Sequence, residues 1–396
     1  MLTFKNKIEF NFNKCKQCGA CKAICPTNAI SFYQRQDGLF NVEVDYEKCI
    51  KCRKCEKDCP SNNVQIPQNY FDDFPNKRYY LGYNSDNIIR HNASSGGVAR
   101  TIIVEALKHK YTGGVYTLAK KVEYPFAEGK FYTLNNIPEY DDIPNSVYHS
   151  VPLCENLNNI KDCDRIILVG TSCQLKALSP IVERKCKDVI KVCIFCKQQK
   201  NLNSTRFLTK IMDTQIPKNL KFSVKYRGEG WQGVVGINNS RITWEEAAQI
   251  PFGRRVWSVP GCNICGDPFA IGVKADISLM DPWEIRTPSD LGETLITVHS
   301  EKGEALLKSL SPELKFVEIP YNEALPALGL KDVWRRQKLV PYFKGEKVSL
   351  KIKMAGIGER IQISIIKKIV TILPKMPIFV YRVIRRIPDL RNLFIG

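Results

Sequence analysis

A chain of 396 residues, 44% of them hydrophobic, has ample length for two or three domains with real cores. Lys and Arg number 59 against 40 Asp and Glu, a formal charge of +19, and 16 cysteines are far too many for an ordinary protein of a reducing compartment. No G-x-x-x-x-G-K-[ST] occurs, which argues against a P-loop. Nucleic acid is not an expected partner, because charge is its only support and no binding motif accompanies it.

The amino end, Met1 to Asn13, has no continuous apolar stretch of the kind a secretion signal needs. Cys15-x2-Cys18-x2-Cys21-x3-Cys25-Pro26 then recurs as Cys49-x2-Cys52-x2-Cys55-x3-Cys59-Pro60, every cysteine displaced by the same interval. This is the spacing of bacterial two-cluster ferredoxins, where three close thiolates hold one cubane and the fourth crosses to the other. It assigns Cys15, Cys18, Cys21 and Cys59 to one [4Fe–4S] cluster, and Cys49, Cys52, Cys55 and Cys25 to a second. Disulfides would need an oxidising compartment, and zinc does not use C-x2-C-x2-C. An α+β ferredoxin-like domain is therefore expected over residues 1–65, in a reducing cytoplasm.

Residues 65–76 read as a linker that docks through aromatics, and Lys77–Tyr83 as a strand. Ser94-Ser95-Gly96-Gly97 leads into an apolar-periodic helix, Val98–Lys108. Either serine can cap that helix, the glycines let a ligand approach the backbone, and a helix amino terminus suits a phosphate. A capped helix with no ligand is the competing reading of the same residues. Strands follow at Gly113–Leu118 and Lys130–Leu134. Arg165–Gly170 is a continuous apolar run, the mark of a strand buried on both faces. Thr171–Gln174 opens a helix over Leu175–Arg184, and a second buried strand, Asp188–Cys196, precedes a helix over Ser204–Met212. This alternation predicts a parallel α/β sheet, with ligands beyond the strands' carboxyl ends, where Cys173 and Cys196 would meet. Residues 221–260 read as antiparallel strands and turns. After the Cys262-x2-Cys265 turn come a strand, Leu295–His299, and a helix, Glu301–Ser309.

Cys173, Cys196, Cys262 and Cys265 form a candidate third four-thiolate site. A zinc ribbon on Cys193-x2-Cys196 and Cys262-x2-Cys265 competes with it, although strand alternation turns Cys193 opposite to Cys196. Cys154, Cys163, Cys186 and Cys193 are most simply thiols. The four histidines stand alone, and no acid–base residue can be named.

These motifs, in this order, resemble the coenzyme F420 hydrogenase/dehydrogenase beta subunit family in its form with a fused two-cluster ferredoxin. The likeness spans residues 1 to about 335. Besides the repeat and Ser94–Gly97, Gly170-Thr171-Ser172-Cys173-Gln174 looks like the family's G-T-P-C-Q, and Ile194-Phe195-Cys196 like its L-F-C. Tyr226-Arg227, Gly230-Trp231, Cys262-x2-Cys265 and Ala275-Asp276-Ile277-Ser278 follow. The resemblance implies FAD bound by the α/β part, with Ser94, Ser95, Gly96 and Gly97 among its contacts. It also implies a [4Fe–4S] cluster near the flavin on Cys173, Cys196, Cys262 and Cys265. Three departures stand out. Ser172 replaces a proline, Asn145-Ser146-Val147-Tyr148 stands where relatives often have G-S-K-Y, and Asp281 lacks the glycine that often precedes it. The missing lysine bears on the second substrate, F420 included. Relatives in organisms without F420 reduce other substrates, and bacterial ones often belong to surface-polysaccharide pathways.

The expected architecture is a ferredoxin-like domain (1–65), an α/β flavin-binding domain with an antiparallel β portion (77–340) and a basic helical tail (341–396). The expected activity is that of an iron–sulfur flavoprotein. Electrons would pass between an external ferredoxin or other redox protein, three clusters, FAD and a small-molecule substrate, in either direction. The alternative is an electron-transfer subunit with no substrate of its own. Lys14, Lys16, Lys22, Lys48, Lys51, Arg53, Lys54 and Lys57 ring the cluster motifs and suit an acidic redox partner. The tail holds 12 Lys and Arg against 3 acids. Its prolines and charges argue against a spanning helix. It is expected either to lie on the anionic inner face of a membrane or to cover the α/β domain.

Overall fold

Each cysteine motif turns through a left-handed residue into one helical turn. Gly19 (φ 86°) precedes α1 (Ala20–Ala23), and Arg53 (φ 57°) precedes α2 (Lys54–Lys57). Between them lies an antiparallel hairpin, β1 (Ile30–Gln34) and β2 (Phe40–Val44). Gly19 is needed twice over. Besides its left-handed backbone, a Cβ there would sit 2.9 Å from both the Cβ and the carbonyl oxygen of Pro152. The computed structural model describes residues 10–64, 66–248, 251–252, 255–285 and 289–386, so parts of the expected first domain and tail (1–9 and 387–396) lie outside the described residues.

The middle of the chain builds one eight-stranded sheet. Its strands are β3 (Arg78–Asn84), β4 (Gly114–Lys120), β5 (Ala127–Thr133), β6 (Cys163–Gly170), β7 (Cys186–Ile194), β11 (Ile277–Met280), β12 (Thr294–Val298) and β13 (Leu314–Ile319). The spatial order is β13-β3-β12-β11-β7-β6-β4-β5. Parallel pairing is confined to β4, β6, β7 and β11, while β5, β12, β3 and β13 run antiparallel to their neighbours. The sheet is thus mixed, and the expectation of a parallel sheet holds only at its centre. Parallel neighbours need long crossovers. α5 (Ser172–Val182) supplies one between β6 and β7, whereas β5 returns from β4 as a hairpin and β12 follows β11 with no intervening helix among the described residues.

Strand β6 shows why the central strands read as unbroken apolar runs. Ile167 packs with Ile102, Ile103 and Leu107 of α4 (Val98–Lys108), while Ile166 and Leu168 pack with Leu175 and Leu178 of α5 on the opposite face. All of these side chains are fully buried or nearly so, and each contributes about 1.5–3 kcal/mol to stability. α8 (Glu301–Ser309) joins α4 on the first face.

A smaller antiparallel sheet, β8 (Val224–Lys225), β9 (Val234–Ile237) and β10 (Ser240–Thr243), continues into α7 (Trp244–Ala248). Around the sheets stand α3 (Asn87–Asn92), α6 (Leu202–Ile211) and α9 (Tyr321–Leu328). α10 (Leu330–Lys344) runs across position 340 and lies over the Cys262–Cys265 turn, with Gln337 donating to the Gly266 carbonyl at 2.7 Å and Arg336 to the Lys197 carbonyl at 2.6 Å.

The tail continues as α11 (Leu350–Ile372) and α12 (Ile378–Arg386). Gly356 meets the Tyr342 ring, and Ile366, Val370, Leu373 and Tyr381 pack with Phe207, Val256 and Trp257. One face of the tail therefore does cover the body of the protein. The other leaves Leu350, Met354, Ile357, Ile361, Ile365 and Ile372 exposed. No described helix is long and apolar enough to cross a membrane.

Candidate functional site

The twelve candidate cysteines fall into three groups in space. Cys25, Cys49, Cys52 and Cys55 line one small cavity, and Cys15, Cys18, Cys21 and Cys59 line a second. Each cavity combines three cysteines of one motif with the last of the other, and Cys55 of the first set also lies at the wall of the second. The first group is the outer one, with Cys52 exposed. The second is tied to the later chain by its backbone. Cys154 N–H donates to the Cys18 carbonyl at 2.8 Å, and Gly261 N–H to the Cys15 carbonyl at 3.1 Å. A Cβ on Gly261 would lie 2.4 Å from that same carbonyl oxygen, so the residue before Cys262 sits directly on the first cysteine of the repeat.

Cys173, Cys196, Cys262 and Cys265 converge behind this contact, each close enough to feel another's charge. The helix that carries Cys173 starts three residues earlier than the sequence pattern suggests. Thr171 and Gln174 form a capping box that nucleates α5 at Ser172 and places Cys173 in its first turn. Cys196 lies just beyond β7, while Cys193 is buried in that strand with its Sγ directed at the Pro268 carbonyl. Burial, and then neighbouring thiols, pushes Cys173 up to about 12 and drives Cys196 and Cys21 well above the ordinary range. Burial likewise pushes Cys15 up to about 11. Cys18 is lowered, to about 7, chiefly by its contact with Cys154, and Cys25 is lowered, its desolvation outweighed by hydrogen bonds from Thr27 and Ala29. Such groups cannot all ionise unaided, and a cationic core among them removes that penalty. N–H groups already point at several sulfurs: Gln17 at Cys15 (3.4 Å), Ala29 at Cys25 (3.3 Å) and Gln199 at Cys262 (3.4 Å).

The spacing of the sulfurs also bears on the zinc alternative. Tetrahedral zinc with Zn–S near 2.3 Å places its sulfurs roughly 3.8 Å apart. Among the described residues, the only three His, Cys, Asp or Glu ligand atoms all within 4.8 Å of one another belong to Glu105, His109 and Glu313. No cysteine set is drawn in that tightly.

Cys196 also lines a cavity of about 1270 Å³ at the carboxyl ends of the parallel strands. The amino end of α4 opens onto it through Gly97, Val98, Ala99 and Arg100, and Gly170, Thr171 and Gln174 meet it from β6 and α5. Neither serine caps α4, contrary to expectation. Gly97 (φ 82°) occupies the N-cap, the Ser94 hydroxyl accepts from Ser146 N–H at 2.7 Å, and Ser95 donates to the Glu293 carbonyl. Ser94, Ser95 and Gly97 line the cavity, whereas Gly96 is packed against the β3 and β12 backbones. Arg100 Nε, Asn145 Oδ1 and Gln199 Oε1 are buried without a hydrogen-bond partner among the described residues, and all three residues line the cavity. Its far wall is aromatic, with Trp244 stacked on Phe252 (5.2 Å, 12°) and Tyr148 against both.

The sequence quoted Arg227 only as part of a motif, yet it organises this wall. Its side chain is fully buried. It donates to Asp281 Oδ2 at 2.8 Å and the Ser94 carbonyl at 2.7 Å, and lies 4.5 Å from the Trp244 ring centre. Burial opposes its charge, but Asp281 and Tyr148 outweigh that and hold its pKa above the usual value. Buried cations of this kind come from elements far apart in sequence, and no local pattern marks them. His149 is likewise buried, with Nδ1 2.9 Å from the Tyr226 hydroxyl, and burial lowers it to about 4.

Residues 163–323 match the family described as the carboxyl terminus of the coenzyme F420 hydrogenase/dehydrogenase beta subunit, and residues 14–63 match the 4Fe-4S dicluster domain. No curated protein matches the chain. Among solved structures, a chain of the F420-reducing [NiFe] hydrogenase complex from Methanosarcina barkeri, solved for xenon derivatization, has a TM-score of 0.48 at 17% identity, over 69% of this chain and 91% of that one. The chain thus carries a 4Fe-4S dicluster domain at its amino end, followed by a region similar to the carboxyl terminus of the coenzyme F420 hydrogenase/dehydrogenase beta subunit.

Proposed function

We propose that this protein is a flavin-dependent iron–sulfur oxidoreductase with three [4Fe–4S] clusters in line. Cys25, Cys49, Cys52 and Cys55 hold the outermost cluster, whose exposed Cys52 marks the face where a ferredoxin or other redox protein docks. Cys15, Cys18, Cys21 and Cys59 hold the middle one, and Cys173, Cys196, Cys262 and Cys265 the innermost. The observation that carries the reading is the position of Cys196. It belongs to the innermost set and lines the cavity where orphaned polar atoms await a polar ligand.

FAD is the group proposed for that cavity, and the residues present suit it. The α4 amino end offers N–H groups to a pyrophosphate, and Arg100, Asn145 and Gln199 offer unpaired polar atoms. The aromatic wall suits a planar ring, bound or substrate. When bound, a flavin exchanges single electrons with clusters and electron pairs with an organic substrate. Gln174 and Thr171 fix the first turn of α5, and hence Cys173, while α10 covers the Cys262–Cys265 turn against water. The second substrate is a small molecule. Coenzyme F420 and an oxidised precursor of a surface polysaccharide are the two classes to try. An electron-transfer subunit serving a partner enzyme is the alternative. Anaerobic turnover of either class by the pure chain with reduced ferredoxin supports the enzyme. Absence of turnover, together with co-purification of a catalytic subunit, supports the alternative.

The tail is assigned to the anionic inner face of a membrane. Its exposed stripe, Leu350, Met354, Ile357, Ile361 and Ile365, recurs every three or four residues, and exposed Lys351, Lys353, Lys367 and Lys368 share the helix. Co-sedimentation with phosphatidylserine vesicles should fall at least tenfold when Ile357, Ile361 and Ile365 are all changed to Glu. Equal sedimentation of this variant and the parent would exclude the assignment.

A further inference from the structure

Two cysteines outside all three sets meet at the opposite edge of the sheet. Cys163 opens β6, Cys186 opens β7, and they are paired in register on adjacent parallel strands. Their sulfurs are 3.0 Å apart, both in the thiol form. Neighbouring strands lie about 4.8 Å apart, within the Cα separation a disulfide needs, so closing the bond requires no strand to move far. Cys163 is partly exposed, and buried Cys186 lines a cavity of about 580 Å³. Five lysines (Lys77, Lys187, Lys191, Lys274 and Lys302) line that cavity against only Glu183 and Asp276. Lys187, Lys191 and Lys302 are ion-paired with Asp164, Glu183 and Asp188, and Asp162 and Asp164 lie beside Cys163, so the lining offers a small anionic disulfide a modest cationic excess.

We propose that Cys163 and Cys186 form a reversible dithiol–disulfide site, oxidised by a small anionic disulfide such as oxidised glutathione. One thiol loses its proton and attacks the glutathione S–S bond, releasing one glutathione thiolate and forming a mixed disulfide. The second thiolate then displaces the other glutathione. Two protein thiols are oxidised, one disulfide is reduced to two thiols, and no metal takes part. The bond cross-links the ends of the β6–α5–β7 unit remote from Cys173 and Cys196, so the clusters are not its target. Burial, the neighbouring Cys186 and the Asp162 and Asp164 carboxylates push the Cys163 thiol up, so exchange is slow at neutral pH and quickens roughly a hundredfold from pH 7 to pH 9, about tenfold per pH unit.

The test uses anaerobic holoprotein, oxidised glutathione, alkylation of remaining thiols and peptide mass mapping. The expected product is one cross-linked peptide pair joining Cys163 to Cys186, lighter by two hydrogens than the dithiol and reversed by dithiothreitol, with iron content unchanged. Cys163→Ser and Cys186→Ser should each abolish the cross-link and leave the other cysteine as a glutathione adduct. Full alkylation of both cysteines after oxidant, or a cross-link to any other cysteine, would overturn the proposal. Because iron is counted in the same sample, loss of a cluster is separable from failure of this site.

Discussion

Gly96 separates two meanings of the Ser94–Gly97 segment. An ideal Cβ at Gly96 would lie 2.2 Å from the Gly82 carbonyl oxygen and 2.8 Å from Thr294 N, both backbone atoms that no rotamer change can move. Apolar contacts are comfortable near 3.5–4.0 Å, so Gly96→Ala must push β3 and β12 apart by about an ångström. The hydrogen bonds from Asn84 N–H to the Gly96 carbonyl (2.8 Å) and from Gly96 N–H to Thr294 (3.0 Å) would stretch with them. Overpacking of this kind costs about 1–3 kcal/mol, and the rigidity of both partners places it at the upper end, a melting drop of roughly 4–5 °C for a chain of this size. Gly97→Ala meets no atom closer than 3.5 Å and incurs only the left-handed backbone cost, about 1–2 kcal/mol. Because Gly97 lines the cavity, its variant should instead lose flavin. Differential scanning fluorimetry and flavin release read both effects. If Gly96→Ala melts with the parent, the close backbone contact is wrong.

Two further substitutions probe the buried polar groups. Arg227→Met strands Asp281 and the Ser94 carbonyl without their donor and should cost about 3–5 kcal/mol, at the lower end because Asp281 is 21% exposed. Arg227→Lys should restore little, since one ammonium cannot reach two partners as the guanidinium fork does. Urea midpoints equal to the parent's for both variants would contradict this. His149 titrates at about 4 in the folded chain against an ordinary 6.5. Its contribution is complete above pH 6.5 and is lost as pH falls toward 4, by about 2 kcal/mol at pH 5. His149→Gln should flatten the fall in urea midpoint between pH 7 and pH 5, and an unchanged pH slope would refute the assignment.

What was legible in the sequence was periodic or local. Val98–Lys108 and Glu301–Ser309 fall on the helices their patterns predict, because apolar spacing and a following polar turn bound them. Doubled cysteine spacing was legible for the same reason. Strand direction was not. Nothing in Leu295–His299 itself distinguishes an antiparallel β12 from a parallel strand, since direction is set by the length and content of the connection. The serines of Ser94-Ser95 matched a cap pattern, yet tertiary partners at Ser146 and Glu293 claimed their hydroxyls. Arg227 and Asp281 become visible only when elements far apart in sequence are placed side by side, and the Cys163–Cys186 pair only once β6 and β7 are set in register.

An unbroken line of three clusters ending at a flavin fixes the iron and flavin content of anaerobically purified protein, and metal and flavin analysis reads both. Three cubanes and one FAD predict about 12 iron atoms and one flavin per chain, with about four iron lost, and flavin kept, in Cys262→Ala. About 8 iron with one zinc, or a full iron count with no flavin, would contradict the account.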